Sequence, residues 1–593
     1  MQPIDYAIVA LYLLGIVALG IVLQRRAARG INAYFLGNRS LPWWALGSSG
    51  MASNTDIAGT MLIAALVYAL GTKGFFIELR GGIVLIMAFF MVFMGKWTRR
   101  AQVMTLAEWM RLRFGAGRQG NLARIVSALA NLAVSISIIS YFAVGGGKFF
   151  AEFLGIEQRA ASLAAIGLAM IYTAASGFYG VIWTDVFQGV LIFAAIIYVC
   201  AVAFQTASLP ETFSVSVPLG GGEFETVRTS LAEWSSLVPP LALDLPGQYA
   251  SYNLLGVTLF FYTVKTVMQG MGGSGGYMLQ RYFAARSDRE AGLLSLFWIL
   301  MLAFRWPLVT AFAVLGIHYS ATQEAIADPE LILPTVISEY IPVGVTGLLV
   351  ACFVAAAMST FDSVINASAA YWVRDIYQGY LNPNASQRQL VLQGRLASVG
   401  VVALGVGFSF AAGTIEQIWG FLTYGLGAGL IVPLLLRWYW WRFNGYGFAL
   451  GTLAGMAAAI AVRASGIDMP EYAVFLLPSG ASLLGCLVGT WASEPTPFEV
   501  LDRFYRVTRP FGAWGPIRSQ LERGTQAQIR AENRRDLVAL LVAVPWQLVL
   551  FLIGMMLVMR QWDQLGGLAL AFVLLSIGLY WVWFRHLSRE VKA

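Results

Sequence analysis

Between Ala351 and Tyr377 the chain reads ACFVAAAMSTFDSVINASAAYWVRDIY, an apolar run that carries Ser359, Thr360, Asp362, Ser363, Asn366 and Ser368. An ionisable group inside a membrane span costs roughly 2.5–3.5 kcal/mol even on the mildest scale, so Asp362 points to function. Positions 356, 359, 360 and 363 follow i, i+3, i+4, i+7 and share one helical face. Positions 359, 362, 363 and 366 share an overlapping one. Such a stripe lets a second helix approach closely and offers oxygens to a small hard cation. The alternative is a packing seam, since Ser and Thr also hold transmembrane helices together. The carboxylate favours an ion pathway.

Two further stretches interrupt apolar segments: GSSGMASNTDIAGT at 47–60 and GMGGSGG at 270–276. Glycine lowers helix stability by about 1 kcal/mol per residue, and Gly, Ser, Asn and Asp together favour unwound backbone. Unpaired carbonyls are tolerated at membrane depth only where they face protein, a cavity or an ion. Glycines that merely permit tight packing, or a loop at the cytoplasmic end for the second cluster, are the plainer alternatives. Polar residues near these stretches are candidates for contact with a solute: Ser53, Asn54, Asp56, Thr60, Ser137, Lys265 and Gln269. Glu78 and Arg80 open the next span and, two residues apart on a helix, are not expected to face each other. Lys265 needs an anionic partner, and Asp56 is the expected one.

These residues must be positioned by membrane helices. The chain has 593 residues, 58% hydrophobic and 12% charged, with a mean hydropathy of +0.69. Apolar runs of about 20 residues recur from end to end, which describes an all-α polytopic membrane protein. Some fifteen spans are expected, the first at 5–24 and the last at 565–584. The three cysteines show no paired spacing and the histidines number two, which argues against a disulfide framework, a metal centre or a Ser-His hydrolase. There is no GxxxxGK[ST] loop, so ATP is not the direct driver, and the absence of paired catalytic residues argues against an enzyme. The net charge of +8 is spread over short loops and reads as topology, not as nucleic-acid binding.

No cleavable signal peptide is expected, because Arg25, Arg26 and Arg29 follow the first apolar run. They place the amino terminus outside, and Arg585, Arg589 and Lys592 place the carboxyl terminus in the cytoplasm. The two interruptions lie five spans apart. An odd number of spans reverses direction, so two five-helix units of opposite orientation are expected, with their broken helices beside a central site.

Six ordered passages carry a resemblance: NAYFLGNRSLPWWALGSSGMAS (32–53), MTLAEWMRLRFG (104–115), GFYGVIWTDVFQG (177–189), LQRYFAARS (279–287), AAAMSTFDSVINASAAYWVRDIY (355–377) and RWYWWRFNGYGFALGTLAG (437–455). The chain resembles the sodium/solute symporter family over about residues 5–460. The resemblance implies the leucine-transporter (LeuT) fold. A leading helix and loop would occupy 1–41, the first repeat 42–206, an outer loop 207–250 and the inverted second repeat 251–436. About four extra helices would follow, two in 437–491 and two in 538–593, with a cytoplasmic amphipathic connector at 492–537 between them, whose mixed charges favour a surface-lying segment. The outer loop is expected to form a partial lid.

Matched position by position, the family's sodium ligands fall on the main-chain oxygens of Ala52, Thr55 and Ala356 and the side chains of Ser359 and Thr360. A further ion site of some relatives falls on Asp185, Ser359, Asp362 and Ser363; here Asp362 stands where those relatives have a hydroxyl, so a second sodium or a proton is implied. Sugar-carrying relatives have amide side chains just before the tyrosine matching Tyr277, where this chain has Gly275 and Gly276. The expected function is sodium-coupled import of a small polar solute across the plasma membrane, or the inner membrane of a bacterium, by alternating access. A zwitterion, a carboxylate and a polyol all remain compatible. Proton coupling on the same fold and a transporter-like solute sensor are the alternatives. The partners expected are Na+, the solute and the lipid bilayer, with no nucleic acid and no obligatory protein partner.

Overall fold

The computed structural model describes residues 1–27, 30–206, 208–410, 415–467 and 469–587. Arg29, Arg589 and Lys592, which bear on the expected topology, lie outside the described residues, as do the side chains of Arg25 and Arg26. Among the described residues nine helices are long and apolar enough to cross a membrane, or ten when one bent pair is taken as a single span. The other expected spans are assembled from shorter helical pieces, so the sequence count of fifteen is not reproduced by length and composition alone.

The bent pair is the first expected interruption. Trp43–Ala52 and Ile57–Leu70 meet at 61°. The second half restarts at Asp56, whose extended backbone and carboxylate make an N-cap: Oδ1 accepts from the Gly59 N–H at 2.6 Å. Short polar side chains of this kind satisfy the orphan donors of a helix start. The second interruption is also a true break. Leu255–Met268 widens into a turn over Gln269–Gly273, and a new helix begins at Met278–Ala284. Gly272 sits at φ 116, which favours glycine, and a methyl there would come within 2.4 Å of Trp438.

The hydroxyl-bearing helix, Val345–Ala370, continues with widened turns through Tyr371–Leu381. It packs against the long Gln158–Thr206 run and the amino-terminal Pro3–Ala27 helix. Its residues 358–370 are buried without exception. Lipid therefore never meets the polar stripe.

The chain is not wholly helical. In the outer loop, Thr212–Gly220 and Glu223–Ser230 form an antiparallel hairpin. The loop is anchored by Trp234, whose indole N–H donates to the Tyr68 carbonyl at 3.0 Å. Within the stretch at 492–537, Phe498–Thr508 is two-faced: Leu501, Phe504 and Tyr505 are buried, while Glu499, Arg503 and Arg506 are exposed. Phe504 and Trp514 enclose the Arg113 guanidinium, which donates to the carbonyls of Arg437, Trp440 and Phe443 at 2.8, 3.0 and 3.1 Å. Burial lowers the Arg113 pKa to about 9, which leaves it charged at neutral pH. The helix expected from 538 starts at Arg523. Its first turns supply Glu532 and Asp536 to Lys96 at 2.9 and 2.7 Å, tying the connector to the core.

Candidate functional site

The break at residues 53–56 faces the hydroxyl stripe. Thr360 Oγ1 donates to the carbonyl of Ser53 at 2.9 Å and lies 3.2 Å from that of Ala356. Ser359 is fully buried beside Asp185. The Ala52 carbonyl accepts the Thr55 N–H at 3.2 Å in the turn that ends the first half-helix. Ala52, Thr55, Ala356, Ser359 and Thr360 are all buried. Two helices far apart in sequence thus present main-chain and hydroxyl oxygens to one another, which is the donor chemistry a sodium ion takes.

A second polar group lies next to the first, and its centre is a residue outside the sequence expectation. Arg281, on the helix that restarts after the second break, donates to the hydroxyls of Ser49, Ser53 and Ser363 at 2.7, 2.5 and 2.9 Å. Its guanidinium is 3.6 Å from Asp185 Oδ2, which also accepts from the Ser49 hydroxyl. Asp362 is buried in the field of the same guanidinium. Asp185 and Ser363 are therefore engaged with a cation that belongs to the protein. Asp185 lies well inside the 177–206 span.

Beside both groups is a cavity of about 280 Å³. Of the expected solute-contacting residues, Asn54, Asp56, Glu78, Arg80, Lys265, Gln269 and Tyr277 line it. Ser53, Thr60 and Ser137 do not. Ser53 is held by Arg281 and by the Ser49 carbonyl, Thr60 donates to the Asp56 carbonyl at 2.6 Å, and Ser137 donates along its own helix to Ala133 at 3.1 Å. Tyr277 hydrogen-bonds the Ser53 carbonyl at 3.3 Å and receives the Asn54 amide at the same distance.

Two expected relationships are corrected. Glu78 and Arg80 do meet, with Nε 2.9 Å from Oε1, because residues 78–80 form a tight 3-10 turn and not an α-helix. Lys265 does not turn to Asp56: its ammonium donates to the Arg80 carbonyl, among Glu78, Glu471 and Arg80. Glu471 comes from a helix beyond the repeats and reaches Arg80 at 3.3 Å. The charge that faces Asp56 is Arg305, which lines the same cavity. An arginine in an apolar run is itself a functional signal, and the sequence WILMLAFRWPLVTAF displayed it.

Several buried polar atoms on the cavity wall make no hydrogen bond within the described chain: Asn54 Oδ1, Ser127 Oγ, Tyr141 OH, Arg305 Nε and Thr452 Oγ1. Buried polar atoms are normally paired, so a concentration of exceptions in one cavity marks a place for a polar solute.

The sequence pattern described as "Sodium:solute symporter family" matches residues 34–455, well over half of the chain. The chain is 25% identical over 501 residues to a sodium/glucose cotransporter of Vibrio parahaemolyticus, covering 79% of this chain and 86% of that protein. It is 25% identical over 500 residues to a high-affinity proline transporter of Bacillus subtilis, covering 80% and 95%. Among solved structures, a Na+-coupled sialic acid symporter in a substrate-bound outward-open state superposes with a TM-score of 0.65 at 19% identity. That match covers 84% of this chain and 99% of that one, and it shows a shared fold.

Proposed function

Because this chain belongs to the sodium:solute symporter family, we propose that it is a sodium-coupled symporter that brings a small polar organic solute across the plasma membrane. The proteins it resembles are transporters, and the chain is a multi-pass membrane protein of that kind, not an enzyme. The observation that carries the reading is the meeting of the 53–56 break with Thr360 and Ser363, one turn from Ser359, beside a cavity whose wall carries unpaired polar atoms.

In this reading sodium is cargo, held by the carbonyls of Ala52, Thr55 and Ala356 and the hydroxyls of Ser359 and Thr360. These ligands are divided between the first broken helix and the Val345–Ala370 helix. An ion bridging them stabilises the arrangement in which the two lie close. A ligand shifts a conformational equilibrium only by its difference in affinity between states, and a divided site supplies that difference. The solute occupies the adjoining cavity against the same break, so each ligand favours the geometry that the other needs. The amino terminus lies outside and the carboxyl terminus in the cytoplasm.

The second group, Asp185, Asp362 and Ser363, supports a proton-coupled alternative, because two carboxylates are buried near a single guanidinium. Uptake by the purified protein in liposomes separates the readings. Symport with sodium predicts accumulation driven by an inward sodium gradient at equal pH on both sides. Accumulation driven by a pH gradient in potassium alone would replace it with proton symport.

A further inference from the structure

We propose, resting on the transport reading above, that the solute is a zwitterion whose carboxylate is received by Arg305 and whose ammonium faces Asp56. Arg305 opens the Arg305–Thr322 helix just after the turn at Ala303 and Phe304. It is 4% exposed and lines the cavity. The other deeply buried arginines have partners: Arg80 has Glu78 and Tyr252, Arg113 four carbonyls, Arg124 Asp375, Arg281 three serines, and Arg437 the Leu434 carbonyl and the Trp109 ring. Arg305 has no hydrogen bond and no carboxylate within 4.0 Å among the described residues, and its Nε is buried without a partner. An isolated buried charge is costly unless something pairs with it.

Asp56 is the nearest candidate, yet the two do not form an ion pair. One oxygen of Asp56 is committed to the Gly59 N–H at 2.6 Å. No other residue among those described donates to the carboxylate. Both charges flank Gly59: a methyl added there would lie 2.6 Å from Arg305 Nη2 and 3.0 Å from Asp56 Oδ2. The glycine therefore lets the guanidinium lie against the start of the Ile57–Leu70 half-helix, whose positive dipole end adds to the attraction for an anion. A positive group and a negative group, side by side but unjoined on one cavity wall, match a molecule carrying both charges. A plain anion would leave Asp56 uncompensated and a polyol would leave both. Ile63, Val134, Ile138 and Phe142 on the remaining wall suit an apolar side chain.

Thermal unfolding of the full chain in detergent tests this, with alanine, proline, propionate, isopropylamine, glucose and myo-inositol as probes, each in sodium and in potassium. The expected result is stabilisation by an amino acid in sodium, exceeding that by propionate or isopropylamine. Arg305→Gln raises the amino-acid concentration needed by about thirtyfold or more, the usual consequence of removing one partner of a buried charged contact. Arg305→Lys recovers part of the loss, while the stabilisation by sodium alone persists in both variants. Equal effects from propionate and alanine, a response confined to glucose or myo-inositol, or no response to any probe overturns the proposal. So does unchanged amino-acid affinity in Arg305→Gln. Equal stabilisation by sodium and potassium without solute counts instead against the sodium-symport reading, whatever the panel shows.

Discussion

The two broken helices interrupt themselves by different means. At residues 53–56 the helix stops in a Ser-Asn-Thr-Asp run and restarts on the Asp56 cap, with hydroxyls, carbonyls and a carboxylate turned toward the stripe and the cavity. At 272–277 it stops because Gly272 takes a left-handed conformation beside Trp438, and no side chain of Gly272, Gly273, Gly275 or Gly276 is available to bind anything. The side-chain chemistry of the second break comes from Tyr277 at its end, which meets Ser53 and Asn54, and one turn later from Arg281, which the restarted helix carries to Ser49, Ser53 and Ser363. The first break therefore supplies most of the ligands and the second mainly shape. A pseudo-symmetric pair of helices need not share the work equally.

This contrast can be broken experimentally. Gly272→Val should give the largest loss of stability, roughly 3 kcal/mol, from strained backbone and overlap with Trp438; the unfolding midpoint should drop while the sodium concentration needed for stabilisation stays put. Ser359→Ala and Thr360→Ala should do the reverse: each raises the half-saturating sodium concentration about tenfold, a loss of about 1.4 kcal/mol of ion binding, with a small change in folding stability. Titrating sodium against thermal stability measures both quantities in one experiment, and unchanged sodium dependence in both hydroxyl variants would remove them from the site.

Asp56 sharpens the comparison because it has two duties. Asp56→Ala should destabilise by about 1 kcal/mol through loss of the cap, whereas Asp56→Asn keeps a capping oxygen and costs less. Under the zwitterion proposal both variants lose the preference for alanine over propionate, so a preference retained in Asp56→Asn would confine the residue to capping. Outside both breaks, Glu233→Gln removes an exposed partner of Lys73 at 2.8 Å and should cost about 0.5 kcal/mol or less. Its solute and sodium responses should match those of the unmodified chain.

Much of the site was legible from local pattern. Period-3.6 spacing placed Ser359, Thr360 and Ser363 together, and all three are buried on one helix. Glycine and short polar residues marked both breaks, and both exist. Errors arose where a rule for a regular helix was carried into irregular backbone: Glu78 and Arg80 meet because their turn is 3-10. The connector's partners were not legible for another reason. Its mixed charge fits a surface-lying segment, but that Phe504 and Trp514 close over Arg113 and that Glu532 pairs with Lys96 depends on distant parts of the chain.

The amino-acid sequence by itself determined that this protein lives in a membrane, where its helices break, and which face of the 345–370 helix carries oxygen. Hydropathy, helical period and the poor helix-forming tendency of Gly, Ser, Asn and Asp are properties of neighbouring residues and can be read along the chain. Only the tertiary structure decided which charges meet: Lys265 with the Arg80 carbonyl and not Asp56, Arg281 with three serines, and Arg305 beside Asp56 without joining it. A helix's own periodicity states which side of it is polar, but which residue stands opposite depends on the axial offset and rotation of another helix hundreds of residues away. Those are set by packing over the whole interface, in which each charged residue contributes only a small part.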